Sequence, residues 1–144
     1  MASLKLNADW IERLGQPLAF LALRLYLGGF LIWGVWDNIT EKGRMTEFAM
    51  FLATMNCPWP EVAAVVSVWA QLIVGALLIL GLFTRWAGLV LSVNFLVAVI
   101  LFATTGADAR SQYPHAILVF IGLVFMTTGA GKWGADAFLE RKRS

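Results

Sequence analysis

Charged residues are scarce in this sequence. Asp, Glu, Lys and Arg make up 14% of the 144 residues, while 60% are hydrophobic and the mean hydropathy is +0.75. A soluble domain carries roughly 25% charged residues, and a domain this small has too much surface to hide so much apolar material. The composition therefore excludes a water-soluble globular domain and predicts one integral membrane domain over residues 1–144, surrounded by the lipid bilayer.

Cysteine and histidine occur once each, as Cys57 and His115. An intrachain disulfide, a CxxC redox pair or a Cys-rich zinc site needs at least two cysteines, and bis-His haem ligation or a His-cluster metal site fails on the same count. Basic residues are scattered and the net charge is only +2, so no phosphate-binding surface is expected. We therefore expect no metal site within the chain, no intrachain dithiol chemistry and no nucleic-acid partner.

Long apolar stretches are present instead, and they have the length of membrane spans. A bilayer core of about 30 Å needs about 20 apolar residues in a helix, and such stretches occur at about 18–36, 62–83, 86–104 and 115–133. We therefore predict an all-α integral membrane protein, a compact bundle of four transmembrane helices. Pro17 and Pro114 are expected in the first turns of spans one and four, where a missing N–H costs nothing. The short connection at residues 84–85 predicts that spans two and three form an antiparallel hairpin.

Two shorter segments are expected to lie on the membrane surface as interfacial helices. Residues 8–14 place Trp10, Ile11 and Leu14 on one helical face. Residues 44–55 carry apolar side chains at helical spacing before the helix breakers Asn56 and Pro58.

The basic residues outside the spans predict the orientation of the bundle. The side that holds both termini collects more of them (Lys5, Arg13, Arg85, Lys132, Arg141, Lys142 and Arg143) than the other side (Lys42, Arg44 and Arg110). By the positive-inside rule, we expect both the N- and the C-terminus in the cytoplasm.

Polar side chains inside the spans are the first candidates for a functional site. An ionisable group within the membrane is costly, and Arg24 in span one is such a group. Counted along the helices, it belongs to a polar layer with Gln71, Asn94, Thr127 and Thr128. In one interpretation this layer lines a cavity for a polar head such as a quinone carbonyl, with Arg24 as the donor. In the other, Arg24 extends to the cytoplasmic headgroups, and the amides and hydroxyls only join neighbouring helices.

A second candidate site lies on the outer side, where Asp37, Glu61 and His115 share one membrane depth. A carboxylate near an imidazole can handle protons, because it moves the pKa of the imidazole into the working range. The alternative is that these groups are hydrated or cap helices, as Glu61 does when it complements the dipole at a helix start. Cys57 is either a packed small hydrophobe or an exposed thiol available to a partner.

Three segments carry a family resemblance: RLYLGGFLIWGVWDNI, CPWPEVAAVVSVWAQLIVGALLILGLFTRWAGLVLSVNFLVAV and YPHAILVFIGLVFMTTGAGKWGADAFL. The most specific parts are the GLFTR turn with Arg85, the Pro-Glu-Val opening of span two, and a Gly-x-Gly-Lys-Trp-x-x-Asp motif that ends at Asp136. Over residues 23–139 the chain resembles the DoxX family of small four-span bacterial membrane proteins.

The resemblance implies a bacterial inner-membrane protein associated with redox systems. The family is named after a terminal quinol oxidase, and related chains are linked to thiosulfate:quinone oxidoreduction and to oxidative-stress complexes. This chain departs from the pattern in having Asp37 and Asn38 where many relatives have a Lys, and Gln71 where many have a Glu. These departures weaken any inference of acid-base or proton-coupled chemistry.

Three functions are therefore open at the level of the sequence. The first is a non-catalytic accessory subunit that packs against other membrane protein subunits of a respiratory or redox complex. The second is a quinone-interacting subunit of a membrane oxidoreductase, with quinone as the cofactor. The third is a small transporter or proton conductor. Activity as an enzyme on its own is the less favoured interpretation, and the sequence leaves a homo-oligomer open.

Overall fold

The computed structural model describes residues 11–143, and the chain is helical throughout that range apart from short connections. A π-helical turn at Ile11–Gly15 leads into α1 (Gln16–Thr40). The later helices are α2 (Arg44–Thr54), α3 (Pro60–Leu80), α4 (Thr84–Thr104), α5 (Ala109–Thr128) and α6 (Ala135–Arg143). The described residues contain no strand. Residues 8–10 of the expected first surface helix lie outside the described range.

Four of these helices, α1, α3, α4 and α5, are long and apolar enough to cross a membrane. At 1.5 Å per residue, a helix of 20 residues spans about 30 Å, the thickness of the hydrocarbon core. The fold class predicted from composition and apolar runs, an all-α membrane bundle, is confirmed. The end that holds the π-helical turn and α6 is called here the terminal side, and the end that holds α2 is called the distal side.

The spanning helices pack as two close pairs, α1 with α3 and α4 with α5. Glycines allow each close crossing: a Cβ on Gly28 would lie 2.6 Å from the carbonyl oxygen of Gly75, and a Cβ on Gly88 would lie 2.5 Å from that of Gly122. Small residues that let helix backbones approach are typical of membrane bundles.

Between the two pairs lies the main apolar core. Leu27 and Leu31 of α1, Leu78 of α3, Leu91 of α4 and Phe125 of α5 are all buried in it. A smaller cluster holds α2 against α3 through Ala49, Leu52 and Ala64. Many other large apolar side chains are exposed, as expected for helices whose outer faces meet lipid.

The fourth span differs from its predicted range of 115–133. Its helix begins at Ala109, because the Asp108 carboxylate accepts hydrogen bonds from the backbone N–H and the hydroxyl of Ser111. These bonds lower the pKa of Asp108. Pro114 therefore lies inside α5 rather than in its first turn.

The same span also ends early. At the other end, α5 stops at Thr128 because Gly129 takes a φ of +74°. Residues 129–134 form a loop, and the helix α6 that follows it was not expected from the sequence.

Candidate functional site

Among residues 13–142, whose side-chain burial the structure describes, Arg24 is the only fully buried charged side chain, with 1% of its surface exposed. Its guanidinium donates from Nη1 to the carbonyl oxygen of Ala130 at 2.9 Å and from Nη2 to that of Trp133 at 3.2 Å. Both acceptors belong to the loop between α5 and α6. Arg24 therefore neither reaches the headgroups nor faces a ligand cavity; it binds backbone carbonyls that no helix satisfies.

Two glycines make room for this guanidinium. A Cβ on Gly81 would collide with Nη1 of Arg24, and one on Gly134 would lie 2.6 Å from the same atom. Gly81 also has a φ of +66°, a conformation that other residues adopt at a cost.

Asp136 completes the same arrangement from the C-terminal segment. Its carboxylate accepts hydrogen bonds from the backbone N–H groups of Phe83 at 2.8 Å and Thr84 at 2.9 Å, which caps the start of α4. Its own N–H donates to the carbonyl oxygen of Gly81 at 2.9 Å. We call this set, Arg24, Gly81, Ala130, Trp133, Gly134 and Asp136, the arginine junction. It ties α1 and the α3–α4 turn to the loop that follows α5.

Gln71 and Asn94 lie away from the arginine junction. Because Gly28 crosses Gly75, Arg24 is about one turn from that crossing toward the terminal side, and Gln71 is about one turn from it toward the distal side. The two levels are therefore about 12 Å apart along the helix axes. The Gln71 side chain donates to the Ser67 hydroxyl at 3.2 Å, one turn away on α3.

Thr127 and Thr128 take no part in a shared polar layer. The Thr127 hydroxyl bonds to the carbonyl oxygens of Leu123 and Val124, and the Thr128 hydroxyl also bonds to that of Val124. Both hydroxyls are therefore satisfied within α5. The side chains expected in one polar layer are therefore separated: Arg24 belongs to the arginine junction, whereas the amides of Gln71 and Asn94 lie nearer the distal side.

Those two amides line a groove between α3 and α4, with a volume of about 800 Å³. We call it the α3–α4 groove; α1 and α2 contribute to its walls, and α5 contributes His115. Its wall is mostly apolar, and its polar side chains are Asn38, Ser67, Gln71, Asn94 and His115. Val66 and Val93 line it while 62% and 53% exposed, so the groove opens sideways toward lipid.

Gln71 and Asn94 face this groove from similar depths. They lie almost equal numbers of residues before and after the α3–α4 turn at residues 81–83, and the two helices are antiparallel neighbours. A mainly apolar wall with a few fixed polar groups is typical of a small-molecule site, and this volume is in the usual range of roughly 300–1,000 Å³.

The expected outer-side site is not assembled. Asp37 lies 3.8 Å from the Arg44 guanidinium, while Glu61 is exposed in the first turn of α3. Arg44 bonds more closely to Glu41 and Glu47, which raise its pKa. Only His115 of the three lines the groove. Over residues 13–142, where side chains are described, no group of three or more His, Cys, Asp or Glu side chains is arranged to hold a metal ion.

His115 sits against two aromatic rings of α4. Its imidazole centroid is 4.7 Å from that of Phe102 and 6.1 Å from that of Phe95. Its Nδ1 lies 3.3 Å from the carbonyl oxygen of Ser111, one turn back on α5. Cys57 lies at the distal end of the same groove, half-buried, with its thiol 3.6 Å from the carbonyl oxygen of Pro58.

Sequence reasoning missed Ser67 and the capping role of Asp136, and it named Asn38 without placing it in a candidate site. Ser67 was detectable, since it precedes Gln71 by one helical turn and shares its face. Asp136 was noticed only as the end of a motif, because a cap supplied from 52 residues along the chain leaves no local signal.

A second cavity, of about 830 Å³, lies on the terminal side beside the arginine junction. Side chains of both charges line it, including Arg85, Lys132, Asp136 and Glu140. Arg85 and Asp136 already bond to backbone groups there. The α3–α4 groove is therefore the better candidate for a lipophilic ligand.

Comparison with known families gives a match to the family model described as DoxX over residues 19–104, more than half of the chain. The matched range includes Arg24, Gln71 and Asn94, and it ends before the helix that carries His115. Neither the curated proteins nor the solved structures contain a match to this chain.

Proposed function

Since this chain belongs to the DoxX family of membrane proteins, we propose that it is an integral subunit of a redox complex in the bacterial inner membrane. In this proposal the α3–α4 groove holds the ring of a quinone, and a partner polypeptide exchanges electrons with that quinone. The chain supplies binding and orientation, and its termini face the cytoplasm.

The observation that carries the proposal is the pair of carboxamides in an otherwise apolar groove. A quinone has an apolar ring and tail together with carbonyl oxygens that accept hydrogen bonds. The side-chain N–H groups of Gln71 and Asn94 can donate to such an oxygen, and the valine-rich walls suit the ring. The sideways opening supports entry of the ligand from the bilayer.

Arg24 is left out of this binding site. One of the two interpretations of the sequence made it the donor to a quinone carbonyl, but its Nη1 and Nη2 atoms already bind the carbonyl oxygens of Ala130 and Trp133. The redox association implied by the family resemblance supports the quinone, and the basic residues on the terminal side support the cytoplasmic orientation.

Equilibrium binding of a short-chain ubiquinone to the chain in lipid nanodiscs tests the binding site. We expect Gln71→Leu and Asn94→Leu to weaken binding by about three- to tenfold each, the net value of a single hydrogen bond. Thr127→Val is the matched control, because it removes an intramembrane hydroxyl outside the groove, and it should leave binding unchanged. Equal affinity in the wild type and in a Gln71→Leu, Asn94→Leu double variant would contradict the proposal.

Purification in mild detergent followed by mass spectrometry tests the subunit role. The expected result is co-purification of membrane protein subunits that contain a redox centre, together with a quinone. A monodisperse, partner-free protein in several detergents would count against that role.

A further inference from the structure

The hydrogen bond at His115 fixes which of its ring nitrogens can accept. A backbone carbonyl oxygen has no proton to give, so the contact between Nδ1 and the oxygen of Ser111 at 3.3 Å requires the proton on Nδ1. The tautomer assigned in this way leaves a lone pair on Nε2 of the neutral ring. No side chain among residues 13–142, the part of the chain with described side chains, hydrogen-bonds to Nε2.

The imidazole of His115 lies at a different depth along the bundle from the side-chain amides of Gln71 and Asn94. Phe95 and Phe102 are two turns apart on α4, about 10 Å, and the His115 ring contacts both. Asn94 is adjacent to Phe95, so the ring lies about one helical turn to the distal side of the amide level. A six-membered ring that carries oxygens at opposite ends could therefore place one oxygen at the amides and the other at His115.

The amides of Gln71 and Asn94 differ from the imidazole of His115 in the ligand groups that they can bind. Carboxamides both donate and accept, so Gln71 and Asn94 can bind a carbonyl or a hydroxyl equally well. The free lone pair of Nε2 can only accept. A hydroxyl on the ligand ring can donate a hydrogen bond to this lone pair. A carbonyl oxygen on the ring cannot, and it would place a second acceptor against Nε2.

We propose that the α3–α4 groove selects the reduced, dihydroxy form of its ring ligand over the oxidised, dicarbonyl form, because one ligand hydroxyl donates to His115 Nε2. The inference rests on the proposed function and adds the redox state that the site prefers. In a groove with mostly apolar walls, an unmatched pair of acceptors costs more than it does in water. His115 is thus a specificity-determining residue of the ligand site.

Paired measurements with a short-chain ubiquinol and the corresponding ubiquinone, made anaerobically in nanodiscs, test this preference. We expect the wild type to bind the quinol about five- to tenfold more tightly than the quinone. His115→Phe keeps a ring against Phe102 and removes the acceptor, so its affinities for the quinol and the quinone should become equal, because the quinol loses its additional hydrogen bond. Thermal unfolding in mild detergent shows whether this variant is folded.

His115→Gln is the second variant, because a carboxamide can both accept and donate. It should keep quinol binding and strengthen quinone binding, which also reduces the preference. A preference for the quinone in the wild type, or an unchanged quinol preference in both variants, would overturn the inference while leaving the quinone site in place. Failure of the wild type to bind either form would instead overturn the proposed function and this inference with it.

Discussion

Arg24 shows how a membrane bundle can bury a charge. Taking a guanidinium out of water is expensive, and here two carbonyl oxygens of the loop after α5 and the absent side chains of Gly81 and Gly134 accommodate it. The sequence identified Arg24 as the residue needing an explanation, since a charge within a span is rarely accidental. Its partners could not be read from the sequence because they are backbone atoms more than 100 residues away.

Arg24→Met should destabilise the protein even though it removes a buried charge. The buried hydrogen bond to the carbonyl oxygen of Ala130 and the partly buried one to that of Trp133 would be lost, at about 1–3 kcal/mol each, and the smaller desolvation penalty of methionine offsets part of that. We expect a net loss of about 2–4 kcal/mol in the free energy of unfolding, measured by thermal unfolding in mild detergent. Thr127→Val should stay within about 0.5 kcal/mol. An Arg24→Met variant as stable as the wild type would show that the two hydrogen bonds contribute nothing.

Gly81→Ala tests the same junction from the opposite side. The new methyl group would meet the Arg24 guanidinium and the Cα of Gly134, and the positive φ adds backbone strain. We expect a loss of about 2–4 kcal/mol in the free energy of unfolding.

Gly29→Ala is the matched control for that variant. Gly29 lies within α1 and its added methyl group would meet nothing within 4 Å, so this change should be neutral or stabilise by up to about 1 kcal/mol. The same thermal unfolding measurement compares the two variants. Equal effects at Gly81 and Gly29 would rule out a packed junction.

At the scale of helices, the apolar runs predicted α3 and α4 well and the ends of α5 poorly. An apolar run marks the part of a helix that lies in lipid, whereas helix ends depend on caps and on glycine conformations. Asp108 and Gly129 set the ends of α5, and neither stands out by hydropathy. The position of Pro114 suggested a helix start, but a polar first turn precedes it.

Asp136 connects α6 to α4, and its removal should release the C-terminal segment. In Asp136→Ala, the N–H groups of Phe83 and Thr84 would lose their acceptors. We expect hydrogen exchange at these two amides to speed up by about 5- to 30-fold, corresponding to about 1–2 kcal/mol for a lost cap.

Glu140→Gln provides the control on the same helix. Glu140 is exposed on α6, and its neutralisation should leave exchange at Phe83 and Thr84 unchanged. If Asp136→Ala behaved like Glu140→Gln, the start of α4 would have to be held by something other than this carboxylate.

Across the whole molecule, the spanning helices begin at different depths. This difference explains why the sequence predicted Arg24 in the same polar layer as Gln71 and Asn94. Depth was counted from the start of each span, which assumes that all spans begin at one level. The crossing of Gly28 with Gly75 places the start of α1 about seven residues, roughly 10 Å, beyond the end of α3. Arg24 therefore reaches the α3–α4 turn, whereas Gln71 and Asn94, counted from that common turn, do share a depth.

The groove arises from the pairing of the helices. Glycine crossings bring α1 close to α3 and α4 close to α5, and the groove lies between α3 and α4, which belong to different pairs. Sequence reasoning found three of the polar groups that line the resulting groove, Gln71, Asn94 and His115, but assigned His115 to a different site. The periodicity of a sequence predicts which residues share a helix face. It does not predict which neighbouring helix that face packs against, because that depends on the crossing angles of the helices.

Photoaffinity labelling with an azido-quinone in nanodiscs, followed by peptide mapping, tests directly whether the α3–α4 groove binds a quinone. We expect labels on the walls of the α3–α4 groove, within residues 63–71 and 89–98, and we expect an excess of unlabelled short-chain ubiquinone to remove them. Labels spread over the lipid-facing surfaces and insensitive to that competitor, or labels concentrated on the loop at residues 129–134, would contradict it.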